Sequence, residues 1–79
     1  MDIEKYLKEV LSQYPINRIY YRAGIALQQL KDDGIIYHGE CRYSRNSDGY
    51  RDGVEIIYKV DRKDSFTSTV EVLANADET

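Results

Sequence analysis

The 79-residue chain has no tryptophan and only one each of phenylalanine, cysteine, proline and histidine. Each scarcity excludes something. Cys41 alone cannot form an internal disulfide, so the fold holds without covalent staples, and a reducing, cytoplasmic compartment is the simplest setting. No apolar run approaches the roughly 18 residues of a membrane span. The stretch from Met1 to Glu9 is charged and periodic, unlike a signal peptide. The lone histidine, His38, leaves little room for proton-transfer chemistry. Cys41 lies three residues further on, so on a strand the two point to opposite faces and form no catalytic pair. There is no glycine-rich phosphate loop, HExxH, CxxC or nucleophile elbow. The expectation is a protein that is not an enzyme and takes no cofactor or metal.

What the chain does have is eight tyrosines. Tyrosine joins an apolar ring to a polar hydroxyl and suits half-buried places and binding surfaces. The net charge is −3, from 14 acidic and 11 basic residues. That balance favours solubility and argues against non-specific nucleic-acid binding, which needs a basic patch. A chain of this length makes one domain, 1–79, with 75–79 as a frayed tail. Such a domain buries only about 60% of its unfolded surface, which favours a binding module over a deep active site.

The hydrophobic period is helical up to residue 34 and alternates beyond it. Asp2 is the expected N-cap of a first helix, with Glu4 in its first turn and an i,i+4 pair between Glu4 and Lys8. Ile3, Tyr6, Leu7, Val10, Leu11 and Tyr14 form its apolar stripe, and Pro15 ends it at or before Tyr14. A second helix follows, with Asn17 as the expected N-cap and Ile16 and Tyr21 as a hydrophobic staple. Tyr20, Ala23, Leu27 and Leu30 form its buried seam, flanked by Ile19 and Ala26. Gly24, mid-helix, implies close approach of helix 1 or the sheet. Gly34 terminates the helix, with Ile35 touching Leu30 as in a Schellman motif. Asp32 and Asp33 oppose the helix dipole there, and a partner would explain them.

Three strands follow. Ile35, Tyr37, Cys41 and Tyr43 alternate with Ile36, His38, Glu40 and Arg42. Val54, Ile56, Tyr58 and Val60 alternate with Glu55, Ile57, Lys59 and Asp61. Phe66, Val70 and Val72 alternate with Thr67, Thr69 and Glu71. Each has one apolar face, as in an antiparallel sheet covered on one side. The fold class is α+β: two helices packed on one face of a three-stranded antiparallel sheet, ααβββ.

The segment Ser44–Glu55 resembles an EF-hand calcium loop, with Asn46, Asp48, Gly49, Asp52 and Glu55 at matching positions. Ser44 replaces the usual first aspartate and the flanks read as strands, so a long hairpin loop is the favoured reading. A helical pair followed by a hairpin resembles a winged helix-turn-helix, with Arg18 and Arg22 on helix 2 and Arg42, Arg45 and Arg51 at the wing. Under that alternative the chain is a DNA-binding transcriptional regulator. Only two helices are visible, and Asp32 and Asp33 would repel phosphate.

The leading expectation is a non-enzymatic protein-binding module, an inhibitor or regulator that occludes a protein partner. In size and composition the chain resembles the small acidic inhibitors that phages use against bacterial defence, such as anti-CRISPR proteins. The expected partner is a protein, including one that belongs to a nucleic-acid-binding complex, and no membrane partner is expected. The expected contact residues are Tyr43, Arg45, Tyr50 and Arg51 with Asp48 and Tyr21, since interfaces concentrate energy in aromatic and arginine anchors. The third strand, Phe66 to Ala74, carries one charge, Glu71, and reads as an edge open to pairing, so a homodimer through it is also expected.

Overall fold

A computed structural model describes residues 2–45, 52–63 and 66–75. The first helix, α1, spans Ile3–Leu11. Asp2 caps it as expected: its carboxylate accepts the Lys5 N–H at 3.1 Å. Lys8 Nζ lies 3.1 Å from Glu4 Oε1 on the solvent side, while Ile3, Leu7 and Leu11 are buried.

The second helix, α2, spans Ile16–Asp32. It begins one residue before the expected cap. Pro15 is extended and occupies the cap position, and its carbonyl accepts the Arg18 and Ile19 N–H groups at 2.9 Å. Asn17 is thus inside the helix, which has no side-chain cap, and the staple between Ile16 and Tyr21 has no cap to bracket. The far end matches expectation. Gly34 has a φ of 74°, the Ile35 N–H donates to the Leu30 carbonyl at 2.9 Å, and the Gly34 N–H donates to that of Lys31 at 3.0 Å. These are the two bonds of a Schellman motif, which needs a residue that tolerates positive φ. Asp32 and Asp33 have a local reason after all. Gln28 Nε2 donates to Asp32 Oδ1 at 2.9 Å and Gln29 Nε2 to Asp33 Oδ1 at 3.1 Å, i,i+4 bonds that offset the unfavourable end of the dipole.

The strands β1 (His38–Arg45), β2 (Asp52–Lys59) and β3 (Ser68–Leu73) form one antiparallel sheet in the order β1-β2-β3. The architecture is α+β, ααβββ, with α2 over β1 and β2 and α1 over β3. Cys41 faces Ile56 across the first ladder, Tyr43 faces Val54, and Val54 and Ile56 face Val72 and Val70 across the second. Val54, Ile56, Val70 and Val72 are buried under the helices with Ile19, Leu27 and Leu30.

Five expectations about burial fail here, the first at Val60, which follows the last residue of β2 and is exposed. β1 begins at His38, not Ile35, because the turn after α2 holds the Ile35 and Ile36 N–H groups on the Leu30 carbonyl, and the first bond to β2 is from the Tyr37 N–H to the Lys59 carbonyl at 2.7 Å. Ile36 consequently turns inward and is buried. A Cβ on Gly39 would meet Leu27 Cδ2 at 2.9 Å and Ile36 Cδ1 at 3.0 Å, so Ile36 and Leu27 fill the space a side chain there would take. Tyr37, expected in the core, is exposed. Phe66 lies two residues before β3 and is 81% exposed. Tyr20 leaves the seam of α2 for its flank, and the seam is completed by Ile19 and Ala26.

On the open face Arg42 grips Glu55 through two nitrogens, one of them Nε at 2.8 Å. Ser44 Oγ donates to Glu71 Oε2 at 2.8 Å. Ser44 and Asp52 through Glu55 are thus strand residues. Of the EF-hand-like positions, Asp52 and Glu55 lie in β2 and Glu55 is already committed to an arginine, while Asn46, Asp48 and Gly49 lie outside the described residues. Among the described residues no helix is long and apolar enough to cross a membrane.

Candidate functional site

The structure divides the six expected contact residues. Tyr43 sits on the helix side of β1, near its end. With no strand outside β1 among the described residues to shield it, its ring lies flat against Tyr20 of α2, centroids 4.6 Å apart and planes at 21°. This stack bridges sheet and helix and still leaves Tyr43 62% and Tyr20 42% exposed. Beside it is a shallow depression lined by Ile16, Tyr43, Ser44 and Asp52, where the start of α2 meets the base of the β1–β2 hairpin. Arg45 takes its place in the ladder opposite Asp52. Asp48, Tyr50 and Arg51 lie outside the described residues.

Tyr21 belongs elsewhere. It follows Tyr20 in the chain and therefore points about 100° further round the helix, away from the sheet, where it is 70% exposed. Beneath it runs a second shallow depression lined by Tyr20, Tyr21, Gly24, Ile25 and Gln28. Gly24 does not mark a close approach within the molecule. A Cβ built on it meets nothing within 4 Å. Its lack of a side chain deepens the outward face of α2 and leaves the contact with α1 and the sheet untouched.

Sequence reasoning missed Tyr20, Gly24, Ile25 and Gln28. The signal was present: Tyr21 and Ile25 are four residues apart on the side of the helix opposite Ala23, Leu27 and Leu30, where polar residues belong. The arginines also separate. Arg22 lies over the Tyr14 ring, 5.2 Å from its centroid, a cation–π contact that ties α2 to the segment after α1. Arg18 has no ion-pair partner among the described residues.

Cys41 and His38 do not come together. Cys41 is half-buried under the helices, and burial pushes its thiol up to about 11, away from the reactive thiolate. His38 is on the opposite face, 3.9 Å from Glu40. Among the described residues no three histidine, cysteine or acidic side chains converge to hold a metal ion.

The chain matches no family model, no curated protein and no solved structure.

Proposed function

We propose that this protein is a non-enzymatic binding module that occludes a protein partner, and that the Tyr20–Tyr43 stack anchors the contact. The observation that carries this reading is the stack itself. Two tyrosine rings hold each other at the base of the hairpin and remain largely open to solvent. A stacked ring has little rotamer freedom left to lose, so a partner that covers it gains contact area at low entropic cost. The adjacent depression at Ile16, Ser44 and Asp52 offers an apolar wall beside polar groups, the mix that fixes orientation in a recognition site. The likeness in size and composition to phage inhibitors of bacterial defence makes a bacterial protein the target class to test first.

The test is affinity capture from a bacterial lysate with tagged wild type and Tyr43→Ala, each shown by circular dichroism to be folded. One stoichiometric protein, lost in the variant, supports the reading. Capture of DNA fragments without protein would replace it with the winged-helix alternative. A protein retained equally by both forms would remove the stack from the interface.

A further inference from the structure

The outward face of α2 carries a stripe that is complementary to itself. Arg18, Tyr21, Ile25, Gln28 and Asp32 succeed one another at spacings of three and four residues, the spacing that keeps side chains in one line along a helix. The stripe is basic at one end, apolar in the middle and acidic at the other. Its centre is Ile25, 45% exposed. Arg18 is seven residues before Ile25 and Asp32 seven after it.

We infer that α2 pairs with α2 of a second copy, antiparallel, about a two-fold axis at Ile25. In that arrangement residues equidistant from Ile25 face each other, so Arg18 of each copy meets Asp32 of the other. Parallel pairing would oppose Arg18 to Arg18 and Asp32 to Asp32, and a partner of unrelated sequence would have no reason to mirror this pattern. Two-fold pairing also explains the depression. A knob on a facing helix fits a hole made by residues i, i+3, i+4 and i+7. Tyr21, Gly24, Ile25 and Gln28 stand at those positions and line that depression. Ile25 of the second copy seats there, and the missing side chain at Gly24 gives it room. Arg18 has no ion-pair partner among the described residues, and Asp32 keeps acceptor capacity beyond its bond from Gln28. Tyr43 does not line that depression, whereas Tyr20 both lines it and stacks on Tyr43, so the two contacts meet at Tyr20.

The test is sedimentation equilibrium of the pure protein over a concentration series reaching millimolar. Wild type should show a monomer–dimer equilibrium. Ile25→Lys should abolish it, and Arg18→Asp or Asp32→Arg should each weaken it about tenfold, since each reverses two symmetry-related pairs. The double variant Arg18→Asp/Asp32→Arg should recover most of the loss. Both substitutions place charges at the helix ends that favour them, so the helix is not endangered. Thr69→Lys on the free edge of β3 should leave the dimer intact. A monomer at every concentration overturns the inference. So does a dimer that survives Ile25→Lys, and one lost in Thr69→Lys would move the interface to the sheet edge. Because no target is present, failure here leaves the proposed binding role to its own experiment.

Discussion

Replacing Gly24 with alanine should raise stability and weaken self-association together. Glycine inside a helix is less favourable than alanine by about 0.8–1.0 kcal/mol, because it loses more backbone freedom on folding. That gain is realised only if the new methyl has room, and at Gly24 nothing lies within 4 Å of it. For a domain of this size about 1 kcal/mol corresponds to roughly 4–8 °C in Tm. Thermal melts followed by circular dichroism, at a concentration where sedimentation shows monomer, should therefore rise by about that amount. Sedimentation of the same variant should show a weaker dimer, since the methyl fills the hole that receives Ile25. An unchanged or lower Tm would refute the open placement of Gly24. A higher Tm with an unaltered dimer would refute the seat of Ile25.

Gly53 should behave in the opposite way. A Cβ there would run into the backbone of β3, including Leu73 Cα at 2.8 Å and the Val72 carbonyl, so Gly53→Ala should destabilise by about 1–3 kcal/mol in urea unfolding. A neutral result would mean that the two strands separate easily at that point. The Tyr20–Tyr43 stack should give a coupling of about 0.5–1.5 kcal/mol in a double-mutant cycle with Tyr20→Leu and Tyr43→Leu; additive effects would show that the rings only share a neighbourhood. Burial raises the Cys41 thiol from 9.0 to about 11, so near neutral pH its thiolate fraction falls on the order of 100-fold, and alkylation should be correspondingly slow until the protein is unfolded. The same upward shift means the unfolded chain loses its proton first, so stability declines as pH rises from about 9 towards 11. A thiol that reacts at the rate of a free cysteine in the folded protein would contradict its placement.

Much of the fold was legible because local signals agreed with tertiary packing. Asp2, Gly34 and the change of period near residue 34 each correspond to an observed boundary, and the parity of β1 through β3 puts the expected residues on the helix side. The departures at Ile36 and Phe66 share a cause: periodic position in a sequence does not set depth. Ile36 is buried by the turn that follows α2, before any strand parity applies. Phe66 continues the alternation of β3, but the ladder stops at Ser68. A glycine inside a helix implies a close neighbour, but at Gly24 the open side faces solvent. The site was less legible than the fold. Tyr43 and Tyr21 were both chosen as contact residues, but nothing in one dimension showed that Tyr20 would join the first and Ile25 the second.

The order in which the layers close bears on how the chain reaches its native state. α1 rests on β3, and the Asn75 N–H donates to the Tyr14 carbonyl at 2.8 Å, so the first helix of the fold packs on its last strand. α2 and the meander can assemble from neighbours in sequence. Until β3 has joined β2, α1 has only α2 to rest on and lacks the part of its cover that β3 supplies. The closing step spans nearly the whole chain, with the slow search that long-range contacts impose. During synthesis α1 emerges early and waits, its apolar stripe exposed, for the strand that completes its layer.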